Sequence, residues 1–312
     1  MLRSTIARVD SLDGRVVVVA NVDTLDEIAS EIPPDRPRLL IGEPVGRNTA
    51  AAVAAAALLA SPDEVLLVLP ADHHVVNVAE FRLALDRAVE VAGQDRLVTF
   101  GVVPTRLETG FGYIVPASSP LDPAFDARPI DRFVEKPEAS TAADLIGAGA
   151  LWNSGMFVFP VGLLLEEMAR HVPEVLEHVE EAVRSAEWRG DTIALGPEFE
   201  SAPALPIDTA VMERTNRGAV VSLDAGWNDV GSWESLWELG DHDADGNVVV
   251  GDVVTLDASR NYLRSEGPLV AAIGVEGLVV VATEDAVLIV PRDRAQDVKT
   301  LFELIRERPE SQ

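Results

Sequence analysis

The sequence predicts an α/β fold followed by a smaller all-β region. Three observations carry this. Short apolar runs, RVVVVA (15–20), RLLI (38–41) and VLLVLP (65–70), alternate with helical stretches in the first part of the chain. That is the pattern of strands laid into a mostly parallel sheet. A polar stretch, GDHDADGN (240–247), then interrupts the sequence. Beyond it lie valine-rich segments with turns at Asp257-Ala258, Glu266-Gly267 and Glu284-Asp285, closed by an amphipathic helix over 294–306. The expected domains are therefore 1–240 and 247–312.

In chain order, Leu2, Ile6 and Val9 have helical spacing and mark the end of a helix within 1–12. After the strand at 15–20, a helix over 23–32 has Asp23 or Thr24 as its N-cap and Pro33-Pro34 behind it. The strand at 38–41 leads into a loop, GEPVGRNT, and then a helix over 49–60 made almost wholly of alanine. So little side-chain bulk implies close packing on the sheet. The run 65–69 reads as a strand buried on both faces, ended by Pro70. A helix is expected over 78–92, and strands at 97–103, 110–115 and 132–137. Helices are expected at 138–147, 161–171 and 174–186, then a short helix at 207–215 and a strand at 219–223.

Composition narrows the function. The 312 residues are enough for one large domain or two. With no cysteine there is no disulfide or thiolate–metal site, which is compatible with the reducing cytoplasm. A net charge of −27 argues against nucleic-acid binding, which needs a basic face. No signal peptide or membrane-spanning apolar run is evident. A small anionic substrate needs local donors and a divalent metal. Of 25 basic residues only two are lysines, Lys136 and Lys299. In so arginine-biased a chain, a surviving lysine suggests a site that needs a compact ammonium.

Several motifs carry two readings each. Asp72 follows the strand at 65–70, where it serves either an Asx-turn or N-cap, or a ligand at the carboxyl edge of the sheet. GEPVGRNT lacks the glycine spacing and lysine of a P-loop. It either caps the alanine helix through Asn48 or Thr49, or recognises a base. Glu43 would accept the N1–H and N2–H₂ of guanine, and Arg47 would bridge O6 and N7. In FVEKP, Glu135 and Lys136 form a surface ion pair or meet a phosphate. In LWNSGMF, Asn153 and Ser154 make a turn or read sugar hydroxyls. GWNDVGSW (226–233) holds glycines that let backbone approach a ligand, and Asp229 as a candidate partner of Asp72 on magnesium. The stretch 241–252 matches the spacing of a calcium loop, but the valines after it favour a solvated acidic linker. His73 and His74 sit beside the candidate site without requiring a catalytic role.

EPVGRNTA, VLPADH, TGFGYI, FVEKP, LWNSGMF, PIDTAVMER and GWNDVGSW occur in an order and spacing that resembles the mannose-1-phosphate guanylyltransferases, or GDP-mannose pyrophosphorylases. The resemblance runs from the first residues to about 305. It implies a nucleotide-diphospho-sugar transferase (Rossmann-like) α/β domain followed by a small left-handed β-helix-like domain. It implies that Asp72 and Asp229 hold Mg²⁺ and that Lys136 contacts the sugar phosphate; the two carboxylates are then expected to face one another across a cleft at the carboxyl edge of the main sheet. Gly112, Glu135, Asn153 and Asp208 would surround the mannose, and Glu43 and Asn48 would lie by the guanine. Mannose 1-phosphate would attack the α-phosphate of GTP in line and expel pyrophosphate. A homodimer is the expected assembly.

The chain departs from the family in one respect. The family opens with a strand and a glycine-rich loop containing an arginine and then a lysine, whereas this sequence opens at MLRSTIARV, inside the first helix. The expectation is exposed apolar strand edges, and no useful rate from residues 1–312 alone. A late-called start, a noncatalytic relative and a decayed gene each account for the departure, and the intact downstream motifs favour the first. The sequence also stops short of the isomerase domain fused to longer family members. The alternatives to the enzyme are a noncatalytic sugar-nucleotide-binding or regulatory relative, and a pyrophosphorylase for another hexose 1-phosphate.

Overall fold

Two segments, LVTFGV (97–102) and LWNSGMFVFP (151–160), form the central strands of the first of two compact units, and both are largely buried. The computed structural model describes residues 1–121 and 126–306. The first unit ends at Trp227 and the second begins at Asn228. The first runs α1 (Leu2–Arg8), β1 (Val16–Asn21), α2 (Leu25–Glu31), β2 (Arg38–Glu43), α3 (Asn48–Leu58), β3 (Val65–Val68), β4 (His74–Val75), α4 (Val78–Ala92), β5 (Leu97–Val102), β6 (Tyr113–Pro116), β7 (Ala127–Val134), α5 (Ala139–Gly147), β8 (Leu151–Pro160), α6 (Val161–His171), α7 (Pro173–Arg184), β9 (Glu187–Arg189), β10 (Thr192–Ala194) and β11 (Gly218–Ser222). A two-residue strand, β12 (Trp227–Asn228), falls at the junction.

These strands form two sheets. The first has the order β1-β2-β10-β9, with β1, β2 and β10 parallel. The second has the order β3-β8-β5-β11-β7-β6. In it β5 and β11 are parallel, and the other recorded pairs are antiparallel. The expectation of a mostly parallel sheet therefore holds for the first sheet and fails for the second. The physical reason is β8, which enters antiparallel between β3 and β5. The run at 65–70 consequently becomes an antiparallel edge strand that stops at Val68, with Val65 46% exposed. An unbroken apolar run marks contact with helices on both faces, and an edge strand can have that too. β1 is likewise an edge, and Val16–Ala20 are only half-buried.

Strand alternation divides the core. Phe157 and Phe159 of β8 pack with α3, α6 and α7 on one face. Met156 and Val158 point to the other, against Phe81, Leu85 and Ala88 of α4. In α3, Ala50, Ala51, Ala54, Ala55 and Ala57 are fully buried, the close packing that their size permits. The β9–β10 hairpin has no strong signal in the sequence, because its first strand, EWR, is exposed. Among the described residues, no helix is long and apolar enough to cross a membrane.

The second unit contains α8 (Trp233–Leu239), β13 (Val248–Val250), β14 (Val253–Leu256), β15 (Tyr262–Ser265), β16 (Val270–Ile273), β17 (Leu278–Ala282), β18 (Val287–Pro291) and α9 (Val298–Arg306). Strands β13, β15 and β17 stack in parallel, as do β14 and β16, while β18 pairs antiparallel with β17. This is a β-helix-like coil. The stretch 240–247 is solvent-exposed from Asp241 through Asp245 and is held by its own side chains. Asp243 Oδ1 accepts the backbone N–H of Asp245 (3.0 Å) and of Asn247 (2.8 Å). Buried Asn247 donates to the Ala258 carbonyl at 2.9 Å and accepts from Asn261 Nδ2 at 2.9 Å. Asp243 thus holds the backbone of this turn. Among the described residues, no group of three or more His, Cys, Asp or Glu side chains is arranged to hold a metal ion.

Candidate active site

Four separated motifs converge where β6, β7 and β8 meet the segment 206–213. Asn153 is not in a turn, one of its two sequence readings; it is a buried residue of β8. Its backbone N–H donates to Gly112 O at 2.8 Å, and its Nδ2 donates to Asp208 Oδ1 at 2.6 Å. Asp208 opens a short π-helical turn, Asp208–Met212. Burial raises its pKa, and hydrogen bonds from its own backbone and from Asn153 offset part of the rise. Glu135 lies just past β7. Its pKa is raised from 4.5 to about 7, chiefly by burial and then by the charge of Asp208, against an opposing effect of Lys136. Space at Gly112 is tight: a Cβ there would lie 2.5 Å from Glu135 Oε2, the end of a side chain, and 3.3 Å from Asn153 Cβ.

Lys136 stands at the rim of this cluster, its side chain 64% exposed and its Nζ 3.6 Å from Glu135 Oε1. Its backbone is left-handed, with φ of 46°, a conformation costly for a residue with a Cβ. Two hydrogen bonds hold the turn. Lys136 N–H donates to Phe111 O at 3.2 Å, and Glu135 N–H donates to Glu213 Oε1 at 2.9 Å. The arrangement presents two carboxylates of elevated proton affinity, one amide and one exposed ammonium. That set suits a ligand with hydroxyls at one end and a phosphate at the other.

The GEPVGRNT loop departs from expectation. Neither Asn48 nor Thr49 caps α3: Arg47 occupies the cap position, without a side-chain cap bond. Asn48 has φ of 62° and accepts the Thr49 N–H on its own Oδ1. Thr49 Oγ1 instead accepts the Ile207 N–H at 2.8 Å, joining the loop to the segment that carries Asp208. The Arg47 guanidinium donates to the Glu200 carbonyl. Glu43 is partly buried, which raises its pKa, and its Oε1 has no hydrogen-bond partner among the described residues. Beside Glu43, a cavity of about 280 Å³ opens at the carboxyl edge of the first sheet, lined by Val22, Gly42, Pro44, Ser185, Glu187 and neighbours on β10. None of its lining residues belongs to the Glu135–Asn153–Asp208 cluster.

Asp72 is exposed, and among the described residues its carboxylate makes no hydrogen bond or ion pair. The segment around it is fixed from α1. Thr5 Oγ1 donates to Ala71 O at 3.3 Å, and Arg8 Nη2 donates to His73 O at 2.9 Å. Both side chains are buried, and burial lowers the pKa of Arg8. His73 in turn accepts from Trp227 Nε1 at 3.1 Å. Trp227, Phe111 and Trp152 meet edge to face, connecting the Asp72 segment to the cluster around Asn153. Asp229 belongs to the second unit. Its Oδ1 accepts the Gly231 N–H at 3.2 Å beside Val230, whose φ of 54° is a rare conformation for a β-branched residue. A carboxylate is the hard oxygen donor that Mg²⁺ prefers, so each of these two side chains, taken by itself, has chemistry that fits the ion.

Sequence reasoning missed Thr5, Arg8, Thr99 and Glu213. Thr5 and Arg8 sit on a helix whose apolar spacing alone was informative. Thr99 is a polar residue in an apolar strand, and Glu213 lies inside PIDTAVMER without a distinguishing neighbour.

A mixed α/β unit carrying a carboxylate–lysine cluster is the setting of a nucleotidyltransferase, and the class is shown by comparison. The family model for nucleotidyl transferases matches residues 15–246, and the model for the MannoseP isomerase/GMP-like beta-helix domain matches residues 251–304. Within that class, the chain belongs to the mannose-1-phosphate guanylyltransferases. It is 41% identical to the mannose-1-phosphate guanylyltransferase of Escherichia coli, over 98% of this chain and 67% of that protein. It is 41% identical to that of Klebsiella pneumoniae, over 100% and 68%. It spans about two thirds of the length of these relatives. Among solved structures, one from Thermus thermophilus, described as a mannose-1-phosphate geranyltransferase, superposes with a TM-score of 0.84 at 33% identity over 98% of this chain and 89% of that one.

Proposed function

We propose that this protein transfers a guanylyl group from GTP to mannose 1-phosphate, giving GDP-mannose and pyrophosphate. The observation that carries it is the convergence of Glu135, Lys136, Asn153 and Asp208 around Gly112. Carboxylates and an amide accept and donate to sugar hydroxyls, and the ammonium of Lys136 meets the phosphate as a compact charge. In a chain of net charge −27 such local compensation is needed for an anionic substrate. Glu43, Arg47 and Asn48 are assigned to the base, on the strength of the loop's link to the Asp208 segment through Thr49. A phosphate oxygen of the sugar phosphate forms a bond to the α-phosphorus as the bond to the β-phosphate bridging oxygen breaks, and pyrophosphate leaves. The protein's contribution is positioning and charge compensation.

Asp72 is the carboxylate of the first unit that would hold Mg²⁺, and Asp229 that of the second. The ion would supply charge neutralisation at the phosphates. The names of the relatives do not favour a noncatalytic relative or another hexose phosphate. A cytoplasmic setting accords with the absence of cysteine. Self-association is supported by apolar side chains exposed in the second unit, among them Val254, Leu256, Ile273 and Ile289. Light scattering that finds only a monomer at micromolar concentration would remove that part of the proposal.

The test is pyrophosphate release from GTP and Mg²⁺, with and without mannose 1-phosphate, by residues 1–312 and by the same chain preceded by the family's opening strand and glycine-rich loop. Dependence on the sugar phosphate, GDP-mannose as product and a loss of about 100-fold or more in Lys136→Met are expected. Release that is indifferent to mannose 1-phosphate, or to Lys136, refutes the proposal.

A further inference from the structure

Thr99 is fully buried on β5, at the point where the pairing of β5 with β8 shifts register between Thr99 and Gly101. Such an irregularity re-aims a side chain. Here the hydroxyl lies 2.7 Å from Asn153 Oδ1 and 3.0 Å from the Met156 carbonyl oxygen. Both are acceptors, and a hydroxyl carries one proton, so it donates to one of them at a time. Asn153 is also bound at its other end, where Nδ2 donates to Asp208 Oδ1 at 2.6 Å. The result is a buried chain, Thr99 to Asn153 to Asp208, that no motif announces.

The oxygen and nitrogen of an amide are nearly the same size, so hydrogen-bond partners decide which way it points. Donation from Thr99 to Oδ1 turns Nδ2 toward Asp208 and leaves the second Nδ2 proton for a ligand. The opposite orientation requires two changes at once. Thr99 must turn its proton to Met156 and accept from Nδ2, and Asp208 must carry a proton and donate to Oδ1. With Asp208 ionised, that orientation sets oxygen against oxygen and is disfavoured.

We infer that Thr99 is a positioning residue: through Asn153 it sets the pattern of donors and acceptors that the sugar of the hexose 1-phosphate meets. Selectivity between epimeric hexose phosphates depends on such a fixed pattern, because an analogue with one hydroxyl misplaced leaves buried groups unpaired. The inference rests on the assignment of this cluster to the sugar.

The experiment is calorimetric binding of mannose 1-phosphate, its C2 epimer glucose 1-phosphate, and GTP to the parent protein, T99V and T99S. T99V keeps the shape and loses the hydroxyl; T99S keeps the hydroxyl. Expected is a loss of about tenfold in mannose 1-phosphate affinity in T99V, the scale of one buried hydrogen bond. The preference over glucose 1-phosphate should narrow, GTP affinity should not change, and T99S should stay within about twofold of the parent. If T99V does not fold, the side-chain amide of Asn153 in the parent decides. Its two protons should give separate NMR signals with slow solvent exchange, and rapid exchange overturns the inference. Binding by the parent that T99V leaves unchanged, in strength and preference, overturns it too. No binding of mannose 1-phosphate by the parent overturns the sugar assignment, and this inference with it.

Discussion

Thr49 and Ile207 are joined by a hydrogen bond from the Ile207 N–H to Thr49 Oγ1, 2.8 Å long. It connects the first turn of α3 to the residue before Asp208. A second bond, from Ala50 N–H to Leu205 O at 3.0 Å, runs beside it. The loop assigned to the base and the turn assigned to the sugar are therefore parts of one hydrogen-bonded assembly.

Replacing Thr49 by valine keeps the shape and leaves the Ile207 N–H without its acceptor. The cost should be about 1–3 kcal/mol. Thermal unfolding should fall by roughly 2–4 °C for each kcal/mol in a unit of this size. Affinity for both GTP and mannose 1-phosphate should drop, whereas T49S should restore both. If only one ligand is affected, the two half-sites do not share this link.

Glu135 predicts a pH dependence with a definite sign. Its pKa in the folded protein is about 7, against 4.5 ordinarily, so the native state holds this proton more tightly than the unfolded chain does. The associated stability is fully present below about pH 4.5 and is lost as pH rises through about 7. A displacement of that size corresponds to about 3 kcal/mol. Denaturant unfolding of the parent and E135Q should diverge between pH 5 and 8, the parent losing stability relative to the variant as pH rises. Parallel pH profiles would show that Glu135 titrates normally.

Gly112→Ala places a Cβ 2.5 Å from Glu135 Oε2. The obstructed atom is the end of a side chain, so Glu135 can swing aside and the fold survives. Mannose 1-phosphate affinity should fall by about tenfold or more, for a packing conflict of roughly 1–3 kcal/mol. The melting temperature should move by only a few degrees, and GTP binding should be unchanged. An undisturbed sugar-phosphate affinity would place the ligand elsewhere.

Thr5 and Arg8 hold the carbonyls on either side of Asp72. If Asp72 binds the metal, loosening its frame should weaken binding without removing a ligand. Supporting residues of this kind typically contribute about 10–100-fold in metal affinity. Mn²⁺ binding followed by electron paramagnetic resonance should be abolished in D72N and weakened about tenfold in R8M, with a smaller effect in T5V. Equal Mn²⁺ affinity in D72N and the parent would exclude Asp72 as a ligand.

Much of the sugar cluster was legible because its chemistry stands out against its surroundings. Lys136 is one of two lysines in the chain, and Asn153 interrupts an apolar segment beside a glycine. Other features carry no such contrast. VLLVL reads as a central strand, yet β3 is at an edge, because apolar faces record which helices cover a strand and not which strands flank it. Thr99 sits in VTFGV, where threonine is an ordinary strand former and only the bulge reveals its direction. The helix-capping role expected of Thr49 failed for a related reason. A free hydroxyl takes the best donor in reach, and for Thr49 that donor is 158 residues away in sequence.

The asparagine contacts of the second unit also bear on how long its coil is. Asn261 stands 14 residues after Asn247 and is bonded to it, side chain to side chain. Another 14 residues on is Val275, which offers Asn261 only a backbone carbonyl, at 3.1 Å. A stack of parallel rungs is in principle an open-ended polymer, since each finished rung is a template for the next. Here growth stops by two independent means. Valine has no amide to pass on, and β18 reverses direction against β17, so a further rung would have to pair with a strand of the opposite polarity.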